Sequence, residues 1–307
     1  MVRKFRDYFV IGLKGMAMGA ADVVPGVSGG TIAFISGIYE ELLIAISNVN
    51  LSLLKTLKTS GVKAAWKQLN GSFLAALFLG IFVSIVSLAK VIKHLLESQP
   101  ILLWSFFFGL VLASIIYIAK QITDWNFKAF LVLIIGAVIA YFITTLNPLI
   151  SGNSSSLFVF IAGAIAICAM ILPGISGSFI LVLLGAYKPV LEAVNNRDFK
   201  TILVFMAGAV VGLLTFSKVL KWLFKNHKNL TLAVLTGFII GSLNKIWPWK
   251  ETLTWRINSR GLKVPFNQQS ISPFSFDEDP QLIMAIAFAV LGFVLILGME
   301  KLAIKKQ

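Results

Sequence analysis

Two stretches of this chain break an apolar run in the same way: GAADVVPGVSGGTIAFISGIYEELL at Gly19–Leu43 and AICAMILPGISGSFILVLLGAYKPVL at Ala166–Leu191. Shifted by 148 positions, Pro25–Ile46 lies on Pro173–Val194 with nine identities in 22, among them Pro25/Pro173, Gly26/Gly174, Ser28/Ser176, Gly29/Gly177, Gly37/Gly185 and Tyr39/Tyr187. The correspondence runs on through Gly80/Gly208, Gly109/Gly237 and, more weakly, Gly136/Gly292. Self-similarity at this scale marks an internal repeat. The chain therefore reads as a single domain, 1–307, written as two halves, 9–147 and 157–300, with a long loop at 248–280.

The solvent for this fold is set by composition. Of 307 residues, 58% are hydrophobic and 13% charged, against about 25% charged in soluble domains. Runs near the ~20 residues that cross a bilayer occur at Gly71–Leu96, Pro100–Ala119, Phe127–Leu146, Thr201–Phe224, Leu230–Trp247 and Gln281–Met299. The expected fold class is an all-α polytopic integral membrane protein. Each half holds three transmembrane helices and one re-entrant helical hairpin, or pair of short broken helices, with its tip at Pro-Gly. Proline withdraws a backbone donor and glycine permits the turn.

Three crossings per half is an odd number, so the second half is expected upside down relative to the first. With the N-terminus inside, fourteen Lys and Arg fall on the inner side and six on the outer. The positive-inside rule then puts both termini in the cytoplasm, and full spans in place of hairpins give the same sidedness. The formal charge of +14 is accounted for by such loops and by anionic lipid, with no nucleic-acid partner. No signal peptide is evident, and Cys168 is alone, so no internal disulfide forms.

After each tip a helix restarts, through Ser28-Gly29-Gly30-Thr31 and through Ser176-Gly177-Ser178. A helix start leaves backbone N–H groups unpartnered and partly positive, which in lipid costs several kcal/mol per group. Glycines admit a ligand close to the backbone, and such a site suits phosphate. Tips brought together from inverted halves make a site near the midplane. The phosphate-binding candidates are thus Pro25, Gly26, Ser28, Gly29, Gly30, Thr31, Pro173, Gly174, Ser176, Gly177 and Ser178. The plainer alternative is close helix packing by small residues.

Asp22, Glu40, Glu41 and Lys188 are candidates for ion coupling or charge pairing, because intramembrane charges are usually functional. The repeat breaks at these positions: Asp22 faces Met170, Glu40 faces Lys188, and Glu41 faces Pro189. Glu40, Glu41 and Lys188 equally suit hairpin ends in water. Lys90, Lys93, Lys218 and Lys221 suit snorkelling anchors more than phosphate clamps, and Trp249, Trp255, Arg256, Arg260, Lys263 and Phe266 suit a lipid head group or an ordinary interfacial belt. His94 and His227 lie in unlike contexts, so no metal is expected, and no cofactor beyond a coupling proton or sodium ion.

The two motifs, in this order, resemble the bacterial polyprenyl-phosphate translocase family PopT, over essentially the whole chain. The resemblance falls on Asp22, Pro25, Gly26, Ser28, Gly29, Gly30, Thr31, Gly37, Tyr39 and Glu40, and on Pro173, Gly174, Ser176, Gly177 and Gly185. It implies a flippase of the bacterial cytoplasmic membrane that returns undecaprenyl phosphate from the outer to the inner leaflet for reuse in cell-wall synthesis. A membrane lipid pyrophosphate phosphatase carries PGxSRSxxT, where this chain has Gly29, Gly30 and Ala33 in place of the arginine, serine and threonine, so hydrolysis is poorly supported. A permease for a small soluble anion is the other alternative. Oligomeric state stays open.

Overall fold

The computed structural model describes residues 3–24, 27–146, 155–257 and 263–304, with side chains described throughout except at residues 89, 256–267 and 299–304. The first half contains α1 (Phe5–Val23), α2 (Gly29–Ile35), α3 (Tyr39–Ser47), α4 (Leu51–Gln68), α5 (Gly71–Ser98), α6 (Pro100–Ala119) and α7 (Phe127–Thr145). The second contains α8 (Ser156–Ile171), α9 (Gly177–Leu183), α10 (Tyr187–Asn195), α11 (Phe199–Asn226), α12 (Lys228–Ser242) and α13 (Leu282–Ile304). Among the described residues, five helices are long and apolar enough to cross a membrane: α5, α6, α7, α11, and α12 with the turn that follows it. The pairs α2–α3 and α9–α10 bend by 115° and 109°, and α8 and residues 282–298 of α13 are shorter apolar helices.

Local chemistry explains the boundaries. Side chains of Asn50, Asn126, Ser155 and Asp198 accept hydrogen bonds from first-turn amides of α4, α7, α8 and α11, the ordinary capping geometry. Pro100 opens α6, where a missing N–H costs nothing. Both bends turn on a repeated glycine, Gly37 at φ +73° and Gly185 at φ +72°, a backbone region that other residues enter only at a cost.

The helices pack as reciprocal pairs. Within the halves, α1 lies on α5 and α8 on α11; between them, α6 lies on α13 and α7 on α12. The last helix of each half, α7 or α13, thus rests on the next-to-last helix of the other, α12 or α6, so neither half closes its own core. Repeated glycines make the close approaches. A Cβ on Gly80 would overlap the Gly12 carbonyl, and one on Gly208 the Phe160 carbonyl; Gly109 meets Ala289 as Gly237 meets Leu133. Small residues that let backbones touch are the usual means of joining helices where no hydrophobic force separates helix from lipid.

Two elements depart from the sequence expectation. The loop at 248–280 of a fold expected to be all-α contains an antiparallel hairpin of β1 (Lys250–Ile257) and β2 (Lys263–Ser270). Its alternating Thr, Trp, Val and Phe suit strands. Tryptophans dock it on the bundle: Trp247 Nε1 donates to the Ile271 carbonyl (2.8 Å) and Trp249 Nε1 to the Pro280 carbonyl (2.9 Å). Trp249 is buried with Ile101 and Ala285. At the other end of the bundle, residues 51–68, which the sequence reading gave to no element, form α4, kinked at Gly61 and exposing Leu51, Leu54, Leu57 and Val62 beside its lysines.

Candidate functional site

The first tip is built around two charges on α1. Asp22 Oδ1 accepts the Gly29 N–H at 2.7 Å, at the start of α2. Lys14 Nζ donates to the Ser36 carbonyl at 2.5 Å, at the end of α2. The spacing explains both: eight residues of α1 span about 12 Å, close to the length of a seven-residue antiparallel helix. An anion at the N-terminus and a cation at the C-terminus complement the dipole of α2. The rest of the first turn is filled as well. The Gly30 N–H donates to Ser28 Oγ (3.1 Å), and the Thr31 and Ile32 N–H groups reach the Ser28 carbonyl (2.9 and 3.4 Å). Contrary to the expectation of open amides in both halves, this helix start is occupied by the chain's own carboxylate and serine. Pro25 and Gly26 lie outside the described residues.

The two tips touch each other. Ser28 Oγ donates to the Met170 carbonyl at the end of α8 (3.1 Å), and the Gly174 N–H donates to Thr31 Oγ1 (2.9 Å). Ser28 and Thr31 are each 1% exposed, so these hydroxyls cross-link the tips rather than face a solvent-filled space. Gly30 is needed here, since a Cβ would sit 2.6 Å from the Ile171 carbonyl oxygen. Gly174, at φ +88°, presses on α12, where a Cβ would lie 2.6 Å from Ser242 Oγ.

The second tip is different. Pro173, Gly174 and Gly177 are buried, Ser176 is half-buried and Ser178 exposed. Ser176 Oγ lies 2.9 Å from Ser178 Oγ, and Ser176 does not cap α9. The Gly177, Ser178 and Phe179 N–H groups have no acceptor among the described residues. Met170 stands where the first half has Asp22, so no carboxylate of the hairpin neutralises this helix start. The arrangement offers hydroxyls and amides to an anion at one tip and carries a fixed anion at the other.

The remaining candidates lie apart from the tips, with Glu40 and Glu41 at the end of the bundle opposite the β-hairpin. Glu41 is held by Arg3, both guanidinium nitrogens at 2.6 Å, and by Asn70 Nδ2 at 2.6 Å. Glu40 pairs with Lys228 at 2.9 Å, and Lys188 with Glu192 at 3.7 Å on an exposed face. Lys90, Lys93 and Lys218 are exposed, whereas Lys221 donates to Ser47 Oγ (3.1 Å). A shallow pocket of about 200 Å³ lies between Glu40, Leu43, Ile44, Lys221, Phe224 and Lys225. Among the described residues, no three His, Cys, Asp or Glu side chains gather as a metal site. Lys14 is not among the candidates that the sequence singles out. Its spacing from Asp22, matched to the short helix after the tip, was the available signal.

Comparison with known proteins places relatives beside this geometry. Residues 18–264 match a family model described as undecaprenyl phosphate translocase-like. A polyprenyl-phosphate transporter of Vibrio cholerae serotype O1 is 51% identical over 309 residues, covering 99% of this chain and all of the relative. A polyprenyl-phosphate transporter of Staphylococcus aureus is 33% identical over 257 residues, covering 78% of this chain and 86% of that one. No solved structure matches the chain.

Proposed function

The chain belongs to the undecaprenyl phosphate translocase-like family, and from that premise we propose that it carries undecaprenyl phosphate from the outer to the inner leaflet of the bacterial cytoplasmic membrane. It is a polyprenyl-phosphate transporter and not an enzyme, as its relatives' names indicate. Return of the carrier to the inner leaflet makes it available again for cell-wall and surface-glycan synthesis.

In this reading the halves are inverted, both termini are cytoplasmic, and the bent helix pairs are re-entrant. The phosphate head group is held at the second tip by the Ser176 and Ser178 hydroxyls and the amides that open α9. The prenyl chain gains ~0.8 kcal/mol per CH₂ from hydrocarbon, so it stays in lipid while the head group moves. The observation that carries the proposal is the unequal pairing of the tips. They are tied by Ser28–Met170 and Thr31–Gly174 hydrogen bonds, yet Asp22 occupies one helix start and no side-chain anion the other.

That asymmetry supplies a route to ion coupling. Protonation of Asp22 weakens its hold on the Gly29 N–H, which then becomes a further donor for phosphate. A proton entering with the lipid anion would also offset the charge being moved. Glu40 and Glu41, already held in ion pairs at the end of the bundle, serve instead to anchor the first bent pair.

The test is leaflet exchange of a fluorescent prenyl phosphate in proteoliposomes. Ser176→Ala with Ser178→Ala is expected to slow exchange by at least about tenfold, the effect of losing ~1.4 kcal/mol of head-group stabilisation. Exchange at the rate of the unmodified protein would remove the second tip from the head-group site.

A further inference from the structure

At the end of the bundle that carries the β-hairpin, two lysines are held without a counter-ion among the described residues. Lys250, the first residue of β1, donates from Nζ to the Lys245 carbonyl (2.8 Å) and lies 3.8 Å from the centroid of the Trp104 ring of α6. Lys245, in the turn after α12, places Nζ 4.3 Å from the centroid of the Phe179 ring of α9. Neither ammonium forms an ion pair among the described residues. The acidic side chains of the same loop, Glu251, Asp277, Glu278 and Asp279, are exposed and form none with them. Partly buried cations are usually paired, because removing a charge from water costs several kcal/mol.

Their position has a reason. Gly174 of the second tip presses on Ser242 at the end of α12; Lys245 follows one turn later, and its ammonium rests on the helix that begins at that tip. The duplicated fold puts no lysine there in the first half, where Ser114 and Tyr117 stand at the positions of Ser242 and Lys245. Positive charge is thus added beside the tip whose helix start lacks a carboxylate, and withheld from the tip that has Asp22.

We infer that Lys245 and Lys250 form the anion-recognising mouth of the second tip, a site for a phosphate monoester whose charge they meet before it reaches Ser176 and Ser178. The inference rests on the proposed function. Burial, and then the Lys245 charge, push the Lys250 ammonium down to about 7, as expected of a cation that lacks its anion; an arriving phosphate would restore the charge. The aromatic faces hold the ammoniums in place by contacts weaker than a charge-assisted bond to phosphate.

The experiment is equilibrium binding to the full-length protein in detergent, with farnesyl phosphate, farnesol and inorganic phosphate as probes. Lys245→Gln with Lys250→Gln should weaken farnesyl phosphate binding by about tenfold or more, equivalent to ~1.4 kcal/mol, and leave farnesol binding unchanged. Lys245→Arg with Lys250→Arg should keep the phosphate affinity. Unchanged farnesyl phosphate affinity in the glutamine variant overturns the inference, and so does an equal loss for farnesol, which marks a structural defect. The proposed function fails separately: if the unmodified protein binds inorganic phosphate as tightly as farnesyl phosphate, the mouth stands but its ligand is a soluble anion.

Discussion

Thr31→Val probes the contact between the tips with almost no change of shape. Valine replaces the hydroxyl by a methyl group at a position that is 1% exposed. What is lost is the acceptor of the Gly174 N–H at 2.9 Å. The amide sits in a tight turn against α12, so it has little room to find another partner. An orphaned buried donor costs about 1–3 kcal/mol, whereas hydrogen bonds between membrane helices average nearer ~0.6 with a maximum of ~1.7. Taken together these give a loss of about 1–2 kcal/mol. At roughly 2–4 °C per kcal/mol, the midpoint of thermal unfolding in a fixed detergent should fall by about 2–8 °C. Transport of a prenyl phosphate in proteoliposomes should fall with it, since the second tip loses its alignment. Thr31→Ser is the control: it sacrifices a buried methyl, about 0.8 kcal/mol, but keeps the acceptor and should keep transport. A valine variant that unfolds and transports like the unmodified protein would refute the reasoning, because the tips would then not depend on this bond.

Two further outcomes follow from the charges. Asp22→Asn preserves the acceptor for the Gly29 N–H but removes the anion at the start of α2, worth about 0.3–1 kcal/mol and up to ~2 when partly buried; transport should lose its response to a pH gradient, and a full response would take Asp22 out of the coupling. Lys250 has a folded pKa of about 7 against an ordinary 10.5, lowered first by burial and second by Lys245, with the Trp104 ring as its other facing group. Between about pH 7 and 10 the unfolded chain therefore holds a proton that the folded chain has released, so thermal stability should rise across that window and be flat below it. Lys250→Met should abolish the slope, as read from unfolding midpoints at a series of pH values.

Much of the fold was legible because hydrocarbon leaves few choices. A run of twenty apolar residues bounded by Pro100 and Lys120 has to be a helix, and α6 has the bounds read from the sequence. The repeat was visible in the glycines, and those same glycines make the closest helix contacts. The β-hairpin and α4 were not legible. Both lie outside the long apolar runs, where the residues carry no single pattern that forces one way of satisfying the backbone. At the tips, the residue types pointed to anion chemistry in both halves alike. The burial of Ser28 and Thr31 in mutual hydrogen bonds, and the filling of one helix start by Asp22, could not be read from spacing within one hairpin, since the partners of Ser28 and Thr31 lie more than 140 residues away.

Composition, hydrophobic run length and the duplicated Pro-Gly motif were enough to dictate a helical membrane protein of two related halves with a polar break in each, because these are local consequences of covalent geometry and of a solvent that accepts no unpaired amide. Three things waited on the packed molecule: that the last helix of each half rests on the other half, that the tips are tied to each other, and that only the second is left without its own anion. Each is a relation between residues far apart in the chain. Such relations are decided by which surfaces fit together, as the contacts of Gly30 with Ile171 and of Gly174 with Ser242 illustrate.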